Sequence, residues 1–251
     1  NDWVVYPNTE KAVYTVTIAN LYPFPLTSIY VELILPGGFN FSYINSSASY
    51  IPGPVNSLNT FALTYTVDIG SVTPGVYAGV LKLQYIVGTA NNGFRTYSEI
   101  PVFFEINDPS NSLMIYQYGW LSGEPGLKTY GAVYYVLFRN NEYPSINGAL
   151  LEVHLPPGVS SSVNNASIVV VNPSIMVATG SAQDVYRQLL GLTQAPTIPS
   201  NPVISRGDIF GYNLKLNLML DKPGNYTCQA TLDFIDHWGT RRRVSFNIPL
   251  I

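Results

Sequence analysis

One strand-like segment and the Pro-Gly turn that follows it occur twice in the chain. This internal repeat limits the possible folds more than any other feature of the sequence. Residues 29–39 read IYVELILPGGF and residues 149–159 read ALLEVHLPPGV. The matched pairs, all separated by 120 positions (from 32 to 152), are Asn20 and Asn140, Glu32 and Glu152, Pro36 and Pro156, and Gly38 and Gly158. An offset that stays constant over so long a span indicates a duplicated module.

Later in each copy the offset changes once. Pro74-Gly75 corresponds to Pro223-Gly224, and Tyr77 corresponds to Tyr226, a separation of 149 positions (from 74 to 223). The second copy has therefore gained residues in its middle, and we place this insertion at about 160–205.

The repeat predicts two tandem domains, residues 1–108 and 109–251. The boundary falls in the turn-rich stretch 107–112, which is too short for a loose tether. With 251 residues in total, each copy is long enough to bury a core without disulfide bonds.

Within each copy, apolar residues recur with the period of a β-strand. In the segment 29–35 the odd positions are apolar, and the segment 149–155 repeats this alternation. The same period appears in the residues Phe61, Leu63, Tyr65, Val67 and Ile69 and in their counterparts Phe210, Tyr212, Leu214, Leu216 and Leu218. About six or seven such strands per copy, separated by Pro-Gly turns, predict an all-β chain of two tandem immunoglobulin-like antiparallel β-sandwiches.

The insertion has a different pattern. Ser181 and Asp184 resemble a helix capping box, and Val185, Leu189 and Leu190 follow at helical spacing before Gly191. We expect a short helix near 182–190, which either covers a sheet edge or contacts a partner.

Composition excludes several classes of protein. Charged residues make up only 11% of the chain, and the net charge is -3. The one run of like charge is Arg241 to Arg243, so we expect no nucleic-acid partner. Cys228 is the only cysteine, which excludes a disulfide within the chain. No uninterrupted apolar segment approaches the length of a transmembrane helix.

The strand and turn motifs resemble a known family. The segments that carry the resemblance are AVYTVTIAN (12–20), VELILPGGF (31–39), VTPGVY (72–77), LKLQY (81–85), LEVHLPPG (151–158) and DKPGNY (221–226). Together they are similar to the seven-stranded sandwich modules of archaeal surface-layer (S-layer) and related envelope proteins. The low charge and the many Tyr, Asn and Ser residues are similar to secreted proteins of thermoacidophilic archaea.

This resemblance implies a non-enzymatic, extracellular structural protein of the cell surface, an S-layer component or spacer whose partners are other envelope proteins or copies of itself. Within that family, a membrane-anchored stalk of a two-component S-layer is the finer expectation. Such a chain would continue past Ile251 into a coiled coil and an anchor.

Two alternatives remain open from the sequence. One is a secreted filament or adhesin subunit, in which an N-terminal strand completes the sheet of the next copy by β-strand addition. The candidate strand residues are Trp3, Val4, Val5 and Tyr6. The other is an accessory region of a secreted hydrolase, whose catalytic domain would lie elsewhere in a longer parent chain.

No catalytic constellation is visible in the sequence, and we expect no enzyme activity. A Cys or Ser nucleophile site would want a histidine and an orienting acid, and the chain has only two histidines, His154 and His237. Strand parity places His154 on an outward face, and Gly239 places His237 near the tip of a hairpin. The parity of Cys228 points inward, which predicts a buried and unreactive thiol.

Two kinds of modification or ligand site are predicted. Four N-glycosylation sequons begin at Asn40, Asn45, Asn165 and Asn225, all in positions that we expect to reach solvent. Glu105, Asn107 and Asp108 gather oxygen ligands at the predicted domain boundary, where calcium is a candidate. The alternative for that cluster is a plain Asx-turn before Pro109, and no other cofactor is expected.

Overall fold

The computed structural model describes residues 3–42, 47–89, 91–121, 123–177 and 201–250, together with residues 184, 187, 188 and 198. The chain divides into two compact units, Asn1–Asp108 and Pro109–Ile251. The division lies in the turn-rich stretch that the sequence marks as a boundary. Each unit consists of two antiparallel sheets with an apolar interior, which is the predicted tandem immunoglobulin-like sandwich.

The first unit forms a sandwich of a three-stranded and a four-stranded sheet. The sheet orders are β1-β5-β3 and β4-β2-β6-β7. The strands are β1 (Ala12–Ala19), β2 (Leu26–Ile34), β3 (Phe39–Phe41), β4 (Ala48–Ile51), β5 (Thr60–Ile69), β6 (Gly75–Val87) and β7 (Phe94–Ile106). The predicted inward positions of β2 and β5 are buried, except that Phe61 near the start of β5 is half-buried. Val31 and Val67 have no exposed surface.

The second unit repeats this arrangement with additional strands. A 3-10 helix (Pro109–Asn111) precedes its first strand. Its strands are β8 (Leu113–Trp120), β9 (Lys128–Asn140), β10 (Ser145–His154), β11 (Val159–Ser161), β12 (Ile168–Val171), β13 (Ile175–Val177), β14 (Val203–Ser205), β15 (Ile209–Met219), β16 (Tyr226–Asp236) and β17 (Arg241–Leu250). The sheet orders are β12-β10-β16-β17, with β14 also on β10, and β11-β15-β9-β8, with β13 also on β15.

The second unit therefore has more described strands than the six or seven expected from the alternation. The insertion supplies β13 and β14, which extend the two sheets. Ile175 and Val177 of β13 belong to a buried apolar cluster with Tyr135, Leu137 and Ile209. Tyr135 and Leu137 lie on the face of β9 opposite to Val136, so this cluster forms a second apolar layer.

The helix predicted near 182–190 lies largely outside the described residues. Asp184, Arg187 and Gln188 are helical, as the capping-box pattern predicts. The other positions of that helix lie outside the part of the chain that the structure describes.

The internal repeat is also a repeat of strand register. Val31 of β2 pairs with Leu83 of β6, and at the two sequence offsets Leu151 of β10 pairs with Leu232 of β16. Both ladders shift register at equivalent places, next to Ser28 in the first unit and Gly148 in the second. Each bulge residue has a positive φ, 49° at Ser28 and 82° at Gly148. The duplication has thus preserved the irregularity of the strand as well as its alternation.

The matched asparagines Asn20 and Asn140 are buried and join equivalent segments in the two units. The Asn20 Nδ2 donates to the carbonyl oxygens of Phe24 and Val55, each at 2.9 Å. The Asn140 Nδ2 donates to those of Tyr143 at 2.9 Å and Ile204 at 3.3 Å. These amides connect the end of β1 or β9 to the segments that cross beside it, and the Val55 carbonyl also accepts from the Leu26 N–H at 2.9 Å.

One strand breaks the equivalence. In the second unit, β8 pairs with β9 along one edge of the sheet. In the first unit, β1 is equivalent to β9 and pairs with β5 alone among the described strands. Val136 and Phe138 of β9 are fully buried, whereas their counterparts Val16 and Ile18 of β1 are only half-buried. Among the described strands of the first unit, none pairs with the second edge of β1.

Candidate contact surfaces

A row of tyrosines crosses the outward face of the four-stranded sheet in the first unit. Tyr50 of β4 pairs with Tyr30 of β2, Tyr30 pairs with Gln84 of β6, and Gln84 pairs with Tyr97 of β7. The exposed fractions are 63% for Tyr50, 44% for Tyr30 and 78% for Tyr97. We call Tyr50, Tyr30, Gln84 and Tyr97 the tyrosine row. It is an uncharged strip of aromatic rings and amide groups that spans the width of the sheet.

The neighbouring row across the same sheet is charged. Glu32, Lys82 and Glu99 pair in register, and the Lys82 Nζ lies 3.6 Å from the Glu99 Oε1. A shallow recess of about 210 Å³ lies between this row and the rings of Tyr30 and Tyr97. The recess could hold one side chain of a partner, with the aromatic rings on one side and the ion pair on the other.

The equivalent face of the second unit is charged instead of aromatic. The His154 Nε2 lies 2.8 Å from the Glu152 Oε1 on β10. On the adjacent β16–β17 hairpin the Arg241 Nε donates to Asp233 at 2.8 Å, and Arg243 also reaches Asp233 at 3.3 Å. The Arg241 hydrogen bond, with help from Arg243, holds the pKa of Asp233 below its usual value. The two copies thus present different chemistry on equivalent sheets.

The turn of this hairpin is organised by a buried carboxylate. The Asp236 Oδ1 accepts from the backbone N–H groups of Trp238 at 2.9 Å and Thr240 at 3.0 Å, and its Oδ2 accepts from the Arg242 Nε at 2.8 Å. His237 lies in this turn, as predicted, with its ring centroid 4.8 Å from that of Trp238. These contacts give Asp236 a structural role in the hairpin.

A small recess lies beside Trp120 in the second unit. Its volume is about 220 Å³, and its lining includes Trp120, Glu124, Leu218 and Tyr226. The Trp120 ring packs edge-on against Tyr134, with centroids 4.8 Å apart. The recess is small and open, and it combines an aromatic ring with one carboxylate.

The structure places three of the four predicted glycosylation sites. Asn40, Asn165 and Asn225 are exposed, as the sequence predicts. The Asn165 Oδ1 accepts from the Asn217 Nδ2 at 3.1 Å. Asn45 lies outside the described residues. Whether these asparagines carry glycans stays a prediction, and peptide mapping of native protein would test it.

The N-terminal segment proposed for strand addition lies against its own unit. Val5 and Tyr6 are buried. The Val5 carbonyl accepts from the Asn107 N–H at 2.7 Å, and the Trp3 Nε1 donates to the Glu105 carbonyl at 3.2 Å. A donated strand of residues 3–6 would have to give up these contacts, so this role stays a prediction for an assembled state.

No described contact brings the three candidate calcium ligands together. Glu105 and Asp108 are exposed, and the Asn107 Oδ1 accepts from the Val5 N–H at 3.3 Å. Among the described residues there is no group of three or more His, Cys, Asp or Glu side chains that could hold a metal ion. Calcium binding stays a prediction, which a thermal melt with and without chelator would test.

Cys228 is buried, as its parity predicts. It has 1% exposed surface, and burial raises the pKa of its thiol to about 12. The thiolate is the reactive form of cysteine, so the folded chain holds this residue in an unreactive state.

The tyrosine row is the feature that sequence reasoning missed. The parity of β2 places Tyr30 on an outward face, and a search for aromatic residues at outward positions would have found it. The alignment of Tyr30 with Tyr50 and Tyr97 depends on the register of four strands, which alternation along one strand does not fix.

Comparisons with known proteins do not assign this chain to a family. No protein-family model matches the sequence, and no curated protein is significantly similar to it. Similar solved structures include the YadV chaperone (12% identity, 98% of this chain and 96% of that chain, TM-score 0.23). Others are BcpA, the major pilin subunit of Bacillus cereus (8%, 94% and 68%, TM-score 0.29), and the collagen adhesin CNA from S. aureus (10%, 99% and 89%, TM-score 0.26). These values are too low to carry an argument about function.

Among the described residues, no helix combines the length and the apolar character needed to cross a lipid bilayer.

Proposed function

We propose that this chain is a non-enzymatic structural protein of the cell surface, an S-layer component or stalk that acts as a spacer and a protein–protein contact module. The observation that carries the proposal is the tyrosine row. Tyrosine offers a large and rigid contact area, and aromatic residues are enriched where proteins meet. Three exposed tyrosines aligned across a sheet therefore favour a surface built for contact with another protein.

The chemistry of the row suits an extracellular medium. Tyrosine hydroxyls and glutamine amides keep their hydrogen-bonding capacity at acidic and neutral pH, whereas a carboxylate becomes neutral in acid. A contact made through the tyrosine row would persist when the medium is acidified. A contact made through carboxylates, such as those on the charged face of the second unit, would not share this property.

The proposal is tested by locating the native protein and then altering the row. We expect surface proteolysis of intact cells to release peptides of this chain, and we expect the chain to fractionate with the envelope. A Tyr50→Ser, Tyr97→Ser double variant should detach from the envelope more readily than the wild-type chain.

Tyr130→Ser is the matched control, because Tyr130 is similarly exposed, at 76%, but belongs to the second unit and not to the row. Recovery of the native chain from the cytoplasm would contradict the proposal. Equal release of the control and the double variant would contradict the role of the row.

The filament or adhesin alternative is favoured by a different observation, the edge of β1 that no described strand pairs with. Such an edge can accept an extended segment, either from the same chain or from another molecule. Growth of polymers from purified chain, visible as mass that increases with concentration, would move this alternative ahead of the spacer.

A further inference from the structure

The recess beside Trp120 shares its wall with one of the predicted glycosylation sequons. Asn225 lines this recess together with Trp120 and Glu124. The Asn225 side chain is exposed, and it begins the sequon Asn225-Tyr226-Thr227. Trp120 and Glu124 also line two neighbouring recesses. A sugar attached to Asn225 would therefore start at the edge of an aromatic recess.

Two of the described sequons have polar groups that are already engaged in the folded chain. In the sequon of Asn40, the hydroxyl-bearing residue Ser42 is buried, and its Oγ donates to the Asp68 Oδ1 at 2.5 Å. In the sequon of Asn165, the Asn165 Oδ1 accepts from the Asn217 Nδ2 at 3.1 Å. A glycosyltransferase has to reach both the amide and the hydroxyl of a sequon, so these contacts disfavour both sites.

The sequon of Asn225 is open at both ends. Asn225 and Thr227 are exposed, and none of the described hydrogen bonds involves either side chain. Asn225 directly precedes β16, and Thr227 is the second residue of that strand. The folded chain therefore presents the amide and the hydroxyl of this sequon together.

The aromatic walls of the recess are held in place by their own contacts. The Trp120 ring packs edge-on against Tyr134, with centroids 4.8 Å apart, and the Tyr134 hydroxyl donates to the Pro249 carbonyl. On the other side, the Tyr226 hydroxyl donates to the Lys222 carbonyl at 2.8 Å. Because both rings are fixed, a ligand would not have to order them on binding.

The lining suits a neutral ligand that carries hydroxyl groups. Among the described lining residues, Glu124 is the only charged one, so the recess repels phosphate and sulfate groups. A sugar ring offers C–H groups that pack against an aromatic face. Its hydroxyls can donate to the Glu124 carboxylate, and such charge-assisted hydrogen bonds are the stronger kind.

The size of the recess favours a tethered ligand over a free one. Its volume of about 220 Å³ is below the range of about 300–1,000 Å³ that is typical of sites for free small molecules. A covalent bond to Asn225 would raise the local concentration of the sugar to about the millimolar range. Weak contacts with Trp120 would then be occupied most of the time.

We propose that Asn225 carries an N-linked glycan whose first sugars pack against Trp120 and bond to Glu124. This inference rests on the cell-surface location proposed above, because it requires that the chain meets a glycosyltransferase and its activated donor, a glycosyl diphosphate. In the attachment step, the bond from the Asn225 Nδ2 to the anomeric carbon forms, and the bond from that carbon to the diphosphate oxygen breaks. The diphosphate leaves with the bonding electron pair, and the amide gives up one proton to a base of the transferase.

The first test is peptide mapping by mass spectrometry of native protein taken from the cell envelope. We expect glycopeptides at Asn225, with a higher occupancy than at Asn40 or Asn165. An unmodified Asn225 in a chain that fractionates with the envelope would overturn this inference and leave the proposed function intact. Recovery of the chain from the cytoplasm would instead contradict the proposed function.

The second test asks whether the glycan covers Trp120. Thr227→Ala removes the sequon, whereas Thr227→Ser keeps it and is the matched control. Both variants are expressed in the native host, and the rate of hydroxyl-radical oxidation of Trp120 is measured by mass spectrometry, with Trp3 and Trp238 as internal references. We expect faster oxidation of Trp120 in Thr227→Ala than in Thr227→Ser.

Two further comparisons locate the source of the protection. Ser167→Ala removes the sequon of Asn165 in the same unit and should leave the oxidation of Trp120 unchanged. Equal oxidation of Trp120 in the two Thr227 variants would overturn the proposal. Protection of Trp120 in Thr227→Ala by an added free saccharide, to the level of Thr227→Ser, would assign the recess to an external sugar and also overturn it.

A third test measures the contact as stability. We expect Thr227→Ala to melt about 2–4 °C below Thr227→Ser, which is the shift expected for the loss of one modest contact in a domain of this size. The difference should vanish when both variants also carry Trp120→Leu, since the ring that the sugar packs against is then absent. Circular dichroism follows the melts, and each comparison is made within one background, so any effect of Trp120→Leu on folding cancels. A difference that persists in that background would overturn the contact with Trp120.

Discussion

At the scale of single residues, the two copies differ at a position where the backbone is the same. Both strands bulge with a left-handed residue, which is Ser28 in the first unit and Gly148 in the second. A left-handed conformation costs a non-glycine residue about 1–2 kcal/mol, and glycine avoids that cost at a smaller entropic one. The first unit therefore carries backbone strain that the second does not.

We predict that Ser28→Gly raises the free energy of unfolding by up to about 1 kcal/mol and that Gly148→Ser lowers it by about 1 kcal/mol. A Cβ at Gly148 would lie 3.1 Å from the Asn201 Oδ1, which is a side-chain atom that can move. Urea unfolding followed by circular dichroism measures both changes. Destabilisation by Ser28→Gly together with stabilisation by Gly148→Ser would contradict the strain argument.

The contacts of Asp233 predict that part of the folding stability depends on pH. Its pKa is lowered by hydrogen bonds from Arg241 and Arg243, so the folded state binds a proton less readily than the unfolded state. The resulting stabilisation is present above the unfolded pKa of about 3.9 and is lost as the pH falls through the folded value. Because both arginines are exposed, it amounts to only about 0.5–1 kcal/mol.

We therefore expect Asp233→Asn to melt at a lower temperature than the wild-type chain above about pH 5. The difference should shrink as the pH falls below about 4, because the unfolded chain takes up a proton at Asp233 first and the folded chain follows at a lower pH. Thermal melts at a series of pH values measure it. A difference that widens in acid would have the wrong sign for this ion pair.

At the scale of elements, the β16–β17 hairpin depends on one buried carboxylate. Asp236 has no exposed side-chain surface, and it bonds two turn N–H groups and the largely buried Arg242. Removal of one partner from such a set leaves the other groups buried without their acceptor, which is far more costly than the loss of an exposed pair.

We predict that Asp236→Ala lowers the free energy of unfolding by about 3–5 kcal/mol. Asp233→Ala is the matched control on the same strand and should cost no more than about 1 kcal/mol. Both values come from urea titrations at neutral pH. Equal costs for the two variants would show that the turn does not depend on Asp236.

At the scale of the whole molecule, the chain contains one chemical reporter of unfolding. Cys228 is buried in the second unit, and its raised thiol pKa keeps it unreactive while the unit is folded. Asn140 is also in that unit and joins two buried carbonyl oxygens. Loss of that amide should lower the free energy of unfolding of the second unit by about 2–4 kcal/mol.

We predict that Asn140→Ala accelerates the alkylation of Cys228 by at least about tenfold at neutral pH, since 1.4 kcal/mol corresponds to a factor of ten in the open population. Mass spectrometry of samples quenched over time measures the rate. Gln229→Ala alters an exposed neighbour of Cys228 and should leave the rate nearly unchanged. Equal acceleration by both variants would indicate that the thiol is reached by local fluctuation near β16.

The sequence by itself determined the elements that local pattern controls. The constant offsets identified the duplication, and the period of two identified the inward residues of β2, β5, β10 and β15. The same parity predicted that Cys228 is buried, and Gly239 predicted the turn that contains His237. These predictions succeed because side chains alternate between the faces of any strand, whatever its neighbours are.

Only the tertiary structure decided which strands are neighbours and in which register. The motif AVYTVTIAN indicates an ordinary strand, and only the sheet order shows that β1 pairs with β5 alone among the described strands. The tyrosine row likewise depends on three separate pairings among four strands. Strand order and register arise from contacts between residues far apart in the chain, and a local pattern cannot specify them.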